Sequence, residues 1–225
     1  MDKNREIAEK MRKDSYLEIE RGSVVYGTIS PTSDVDHIII VPDTYKDFLN
    51  QFEGGVFEYK DTISESGKEL DCAYIAESRW IQMIEECDVA AMEGVFTPED
   101  NILFDKGNKF DEYKSHFNLD KWKVRQKFSG TASNSWAKAH KKMTVEKDLD
   151  IYRGQKSLFH CLRILMFANQ LCEFGQIKNF QEANALWWEI YREDLTWEQY
   201  KEKYKPVYNS LRSKLAILAP KPVEQ

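Results

Sequence analysis

The sequence has few cysteines and little that would mark it for export or for a membrane. Its 225 residues include four cysteines, with no CxxC pair and no other metal-type spacing. We therefore expect reduced, mostly buried thiols, as in a cytoplasmic protein. The N-terminal segment MDKNREIAEKMRKD is too polar for a signal peptide, and no apolar run approaches the length that spans a bilayer. These features predict a cytoplasmic protein without a membrane partner.

An overall excess of positive charge is also missing. The chain carries 32 Lys and Arg against 38 Asp and Glu, a net charge of −6, so any polyanion must be met by a local patch. The sequence shows no Ser-His-Asp or Cys-His arrangement of the kind that forms a covalent intermediate with substrate. What is present is a 42% apolar share, which is that of a globular chain with one large domain or two small ones.

Two aspartates stand at the start of an apolar, β-branched run. His37–Val41 predicts a buried strand, and side chains alternate along a strand, so Asp34 and Asp36 share one face while Val35 takes the other. Two neighbouring carboxylates repel each other and are costly to desolvate unless a cation or water reaches them. The pair can therefore hold Mg²⁺, which prefers oxygen ligands and often shares them with phosphate.

A glycine and a serine precede this strand by ten residues. Gly22 lets backbone approach a phosphate closely, and Ser23 offers a hydroxyl and an N–H to it. The alternative interpretation is a glycine turn followed by an ordinary Asp-rich loop, because each half of the pattern is common alone. The spacing to Asp34 and Asp36, with the apolar run immediately after, favours a functional site.

A third carboxylate comes from a later predicted strand. Asp71 lies centrally in the run Glu69–Ile75, where a lone carboxylate among apolar residues is unfavourable. Glu69 shares its face and is the fallback. The alternative is that Asp71 belongs to an edge strand facing solvent.

Gly22-Ser23, ten residues, and then Asp34-Val35-Asp36 resembles the signature of the polymerase-β-type nucleotidyltransferase superfamily. Tyr26-Gly27 and Ser33 add a resemblance to the RNA-ligase-associated nucleotidyltransferases of bacteria and phages. The sequence departs from related proteins at Val24, where a basic residue is frequent.

The resemblance implies transfer of a nucleoside monophosphate from ATP or another nucleoside triphosphate to an acceptor hydroxyl, in a bacterial cell or a phage-infected host. It implies two Mg²⁺ ions, with Mn²⁺ as an alternative, held by Asp34, Asp36 and Asp71 as metal ligands and catalytic residues. An RNA 3′ end is the favoured acceptor. A protein or a small molecule as acceptor, and a catalytically inactive nucleotide- or RNA-binding module, remain alternatives.

Positive charge concentrates in the second half of the chain. Lys121–Lys142 carries seven Lys or Arg without an acid, together with Trp122, Phe128 and Trp136, and predicts an RNA-facing surface. A helix over Asp150–Cys172 carries a further basic stripe. The alternative for the first is a solvated helix face with its aromatic residues turned inward, and the alternative for the second is a surface stripe. The candidate nucleotide-binding residues are Gly22, Ser23, Lys138, Lys142, Lys156 and Arg163.

The order of predicted elements indicates an α+β fold. Strands and helices mix up to about residue 110 and only helices follow, which predicts a nucleotidyltransferase domain over 1–110 and a helical domain over 111–225 that closes the cleft. The first would be a small mixed sheet with flanking helices, as the resemblance also implies. Within this scheme Pro98–Lys109 is expected to be irregular, and Pro206 is expected to kink or break the last helix.

Overall fold

The structure is a computed structural model that describes residues 3–30, 33–63 and 67–222. The chain divides into two compact units, residues 1–86 with 90–118, and residues 87–89 with 119–225. The first unit contains the sheet and the second is helical, which confirms the predicted α+β class. The domain boundary between residues 110 and 111 stays a prediction. The helix α6 (Lys109–Ser115), which spans these residues, falls in the first unit.

The first unit is built on a five-stranded mixed sheet in the order β3-β4-β2-β1-β5. Strands β2 and β4 run parallel, and the other neighbours are antiparallel. The strands are β1 (Leu17–Arg21), β2 (Val35–Val41), β3 (Val56–Thr62), β4 (Glu69–Ala76) and β5 (Ile102–Asp105). The helices are α1 (Lys3–Lys13), α2 (Ser23–Tyr26), α3 (Lys46–Leu49), α4 (Glu77–Glu85), α5 (Val89–Val95) and α6.

The two faces of the sheet are covered differently. One face, here called the α1 face, carries Ile39 and Tyr74 and packs against Ala8 and Met11 of α1. The opposite face, here called the α4 face, is apolar along the C-terminal halves of β2 and β4, where Ile38, Ile40 and Ile75 are buried. The N-terminal ends of β2 and β4 on that face carry the acidic residues.

Close packing on the α4 face depends on Gly94 of α5. A Cβ at this position would lie 2.6 Å from the Trp80 ring of α4 and 3.1 Å from Ile19 of β1. Trp80 and Ile19 are both fully buried. The small residue thus lets α4 and the sheet approach α5, which fixes the covered half of this face.

The expectation of an irregular segment over Pro98–Lys109 was wrong at β5. A short 3₁₀ turn, Glu99–Asn101, leads into Ile102–Asp105, which pairs antiparallel with β1 at the edge of the sheet. The strand is short, and its Leu103 and Phe104 are 47% and 45% exposed, so it shows no inward-outward alternation.

The second unit consists of α7 (Lys121–Thr144), α8 (Ile151–Phe174), α9 (Asn184–Arg192) and α10 (Trp197–Leu218). Asp120 and Asp150 cap α7 and α8, and Thr196 with Gln199 forms a capping box on α10. The expected break at Pro206 was wrong, because α10 continues through it. Tyr204 and Tyr208, one on each side of the proline, are buried and hold the helix by packing.

Of the helices in the described residues, none is both long enough and apolar enough to cross a membrane.

Candidate metal and nucleotide site

Three carboxylates converge at the N-terminal ends of β2 and β4. Asp34, Glu69 and Asp71 each offer an oxygen, and these oxygens lie within 4.8 Å of one another. Asp34 and Glu69 are exposed, and Asp71 is partly buried. The parallel register of β2 and β4 explains the convergence, because Val35 lies opposite Leu70 and the flanking side chains point to the other face together. We call these three residues the carboxylate cluster.

Asp36 lies directly beside the cluster, opposite Asp71 in the register of the two strands. Its carboxylate turns toward Gly22, where a Cβ would lie 2.4 Å from Asp36 Oδ2. Gly22 also has a φ of +75°, a conformation that side chains with a Cβ rarely adopt. Gly22 thus makes room for the Asp36 carboxylate, and its contact with a phosphate stays a prediction.

A row of four charged residues crosses the α4 face. In register, Lys60 of β3 pairs with Asp71, Asp71 with Asp36, and Asp36 with Arg21 of β1. Lys60 Nζ donates to Asp71 Oδ2 at 2.9 Å and also bonds Glu69. Hydrogen bonds to these two carboxylates raise the pKa of Lys60, so the group is a cation at neutral pH. Neither Lys60 nor Arg21 was predicted from the sequence.

The cluster suits a divalent cation held by oxygen. Asp71 Oδ1 is buried and, among the residues that the structure describes, has no hydrogen-bond partner. Carboxylates at this separation repel each other by about 1 kcal/mol per pair in water and by more when partly buried. Mg²⁺ and Mn²⁺ take oxygen ligands of this kind, and a cation here would satisfy Asp71 Oδ1. Asp34, Glu69 and Asp71 would hold it, with Asp36 alongside.

Ser23 is held by the short helix α2 and the turn that follows it. The buried Tyr26 of α2 donates its hydroxyl to the Glu93 carboxylate of α5. Gly27 ends the helix in the left-handed conformation, and the Thr28 N–H donates to the Ser23 carbonyl at 2.9 Å. Tyr26 and Gly27 therefore fix the turn that carries Ser23, a partly buried residue whose contact with phosphate stays a prediction.

The basic candidates of the second unit have different environments. Lys138 and Lys156 are exposed, and Lys142 is partly buried. Arg163 is only 6% exposed, lies over the rings of Phe159 and Phe167, and donates to His160 Nδ1 at 2.9 Å.

The basic stripe along α8 therefore contains both an exposed residue, Lys156, and a buried one, Arg163. Burial, with the positive charges of Arg163 and Lys138, lowers the pKa of His160 to about 3. His160 is thus neutral at pH 7 and can accept the hydrogen bond from Arg163.

The aromatic residues between the lysines of α7 are mostly part of the packing. Phe128 is fully buried, which agrees with the alternative interpretation in which the aromatic residues turn inward. Trp136 contacts the rings of Trp197 and Tyr208 and is partly buried. Trp122, under the Arg125 guanidinium, is also partly buried.

Comparisons with known proteins show what this chain is similar to. The model of the RNA repair pathway DNA polymerase beta family matches residues 3–186. One similar solved structure is a nucleotidyltransferase-like protein from Exiguobacterium sibiricum, with 13% identity and a TM-score of 0.36 over 96% of this chain and 75% of that one. Another is the spectinomycin adenyltransferase of Enterococcus faecialis, with 11% identity and a TM-score of 0.44 over 92% and 94%.

A comparison with curated proteins gives no match. The family match covers most of the chain, including the Gly22-Ser23 turn, the carboxylate cluster and the helices α1 to α8. The chain therefore belongs to the RNA repair pathway DNA polymerase beta family, within the polymerase-β-type nucleotidyltransferase superfamily.

Proposed function

We propose that this chain transfers a nucleoside monophosphate from ATP or another nucleoside triphosphate to the 3′ hydroxyl of an RNA, with divalent metal. The observation that carries the proposal is the convergence of Asp34, Glu69 and Asp71 beside Asp36, in which Asp71 Oδ1 is buried without a described partner. The family match supports nucleotidyl transfer as the class of reaction.

The four carboxylates have distinct parts in this proposal. Asp34, Asp36 and Asp71 are the catalytic ligands of two Mg²⁺ ions, with Mn²⁺ as an alternative. Glu69, the fallback for Asp71 in the sequence, is proposed as a further ligand because its carboxylate lies in the same cluster. When bound, such ions lower the pKa of an acceptor hydroxyl and neutralise the triphosphate. The carboxylates fix the position of that charge, since Asp36 abuts Gly22 and Asp71 lies within the sheet.

Contacts with the nucleotide come from two sets of residues. Ser23 offers its hydroxyl to the β- and γ-phosphates from the turn that Tyr26 and Gly27 hold. Lys138, Lys142, Lys156 and Arg163 of the second unit are proposed to supply positive charge to the phosphates. The Lys121–Lys142 helix would meet the RNA backbone in the same way.

The RNA acceptor is supported by the name of the family and by the concentration of lysine on α7. The test is incubation of the full chain with each α-labelled nucleoside triphosphate, Mg²⁺ and a short single-stranded RNA. We expect label on RNA with a free 3′ hydroxyl and none on the same RNA with a 3′-deoxy end.

The matched variants are Asp71→Asn, which should abolish transfer, and Asp61→Asn on the neighbouring strand β3, which should not. Retained transfer in Asp71→Asn would contradict the metal assignment. Label on the blocked RNA, on protein or on a small molecule would contradict the acceptor but leave nucleotidyl transfer in place.

A further inference from the structure

A cation already sits on the carboxylate cluster, and the protein itself supplies it. Lys60 Nζ donates to Asp71 Oδ2 at 2.9 Å and bonds Glu69 Oε1, so it bridges two of the three carboxylates. Its position follows from the antiparallel register of β3 and β4, in which Lys60 lies opposite Asp71 on the α4 face.

The oxygens that Lys60 uses belong to the residues that would hold a divalent ion. A carboxylate oxygen that accepts from an ammonium group at hydrogen-bond distance has less capacity to coordinate a metal, and two cations at this distance repel each other. Asp71 Oδ1 remains outside the Lys60 contact and is buried. Either cation offsets part of the negative charge of the cluster, and the two compete for Asp71 Oδ2 and Glu69.

The side chain of Lys60 can leave without a change of the backbone. It is 62% exposed, on β3 at the edge of the sheet, whereas Asp71 is 27% exposed on the interior strand β4. Displacement therefore needs only rotation of a flexible stem into solvent, while the carboxylates stay where the two strands place them.

We propose that Lys60 is a displaceable counter-ion of the carboxylate cluster, which holds Asp71 and Glu69 in the absence of metal and is released when a divalent cation binds. This inference rests on the metal site of the proposed function. It predicts that the metal affinity is set partly by the competing lysine, and that removing the charge of Lys60 tightens metal binding.

The first test measures Mn²⁺ binding to the full chain by electron paramagnetic resonance, without nucleotide. Lys60→Met keeps the length and apolar stem of the side chain and removes its charge. We expect Mn²⁺ to bind about 2- to 30-fold tighter, the equivalent of two exposed ion pairs. Lys60→Arg should stay close to the wild type, and Lys46→Met on α3, which removes the same charge outside this contact, should change the affinity less than about twofold.

The second test observes the release directly. Reductive dimethylation followed by mass spectrometry reports the reactivity of each lysine, and saturating Mg²⁺ should raise the labelling rate of Lys60 while leaving that of Lys46 unchanged. Equal or weaker Mn²⁺ binding in Lys60→Met, or Lys60 labelling that is insensitive to Mg²⁺, would overturn the inference. If either negative result is found with a wild-type chain that binds Mn²⁺ and transfers nucleotide, only the role of Lys60 is excluded. If the wild-type chain binds no Mn²⁺, the metal site of the proposed function is excluded as well.

Discussion

The two faces of the sheet hold acidic side chains in opposite ways. On the α1 face, Glu18 is 6% exposed and both of its oxygens are bonded. Oε1 lies 2.7 Å from His37 Nδ1 and also bonds Arg12, and Oε2 accepts from Arg12 Nε at 3.0 Å. On the α4 face, Asp71 has one oxygen on Lys60 and one buried oxygen without a described partner.

This difference separates a structural carboxylate from one with capacity for a ligand. Burial alone would raise the pKa of Glu18, but the hydrogen bonds from His37 and Arg12 outweigh it and hold the pKa below its usual value. Glu18 is therefore charged and saturated, and it joins α1 to the sheet. The cluster on the other face is incompletely neutralised and accessible, which is the state that a cation can improve.

The largest expected effect is on turnover at the α4 face. Asp34→Asn should lower nucleotide transfer by at least about 10³-fold, because a metal ligand supplies several kcal/mol of transition-state stabilisation. Its free energy of unfolding should stay the same or rise, since one repulsive charge leaves the cluster. Single-turnover assays measure the rate of nucleotide transfer, and urea titration measures the free energy of unfolding. An active Asp34→Asn protein would remove Asp34 from the metal site.

The reverse pattern is expected on the α1 face. Glu18→Gln leaves the Arg12 and His37 contacts without their buried charge and should lower the free energy of unfolding by about 2–4 kcal/mol. Turnover per folded molecule, measured well below the melting temperature, should be retained because Glu18 and the cluster lie on opposite faces. Loss of turnover in a folded Glu18→Gln protein would show that the two faces are coupled.

The contact between Gly22 and Asp36 tests how the site is kept in position. Gly22→Ala combines an unfavourable φ with a Cβ 2.4 Å from Asp36 Oδ2, and should cost about 1–3 kcal/mol of stability and reduce transfer. Gly54→Ala is the matched control, since Gly54 also has a positive φ, +65°, but nothing lies within 4 Å of its added Cβ. Equal transfer by the two variants would mean that the Asp36 position does not matter for activity.

The pH dependence of stability should identify the charge of Glu18 as a stabilising group on the α1 face. A carboxylate whose pKa is lower in the folded state stabilises the fold above its ordinary pKa, and this contribution is lost as pH falls through the folded value. For Glu18, the stabilisation is full above about pH 4.5, its ordinary value, and declines in more acid solution. The stability difference between wild type and Glu18→Gln, from urea titrations at pH 7, 5 and 3, should narrow only below that point. A difference that stays constant down to pH 3 would exclude this charge as its source.

Local patterns in the sequence were sufficient for much of this fold. The Thr196-Gln199 capping box depends on four consecutive residues, and the β2 strand depends on its own apolar run, so both could be predicted. The contact of Lys60 with Asp71 depends on the pairing register of β3 and β4. This register cannot be predicted from the residue pattern of each strand alone. The bond from Tyr26 to Glu93 likewise joins positions 67 residues apart, and only packing brings them together.

Helical periodicity has a similar limit in the second unit. It placed Lys156 and Arg163 on one side of α8, but it could not show that neighbouring aromatic rings bury Arg163 while Lys156 remains in solvent. The role of these residues in binding a nucleotide stays a prediction.

The smallest expected effects belong to the exposed lysines of the second unit. If Lys138 or Lys156 contacts phosphate, alanine substitution should weaken binding of a short single-stranded RNA about 2- to 5-fold. It should also reduce the slope of log affinity against log salt by about 0.7, because one fewer counterion is released. Fluorescence anisotropy at several salt concentrations measures both, with the exposed Lys46→Ala of the first unit as control. An unchanged slope in both variants would place the RNA contact elsewhere.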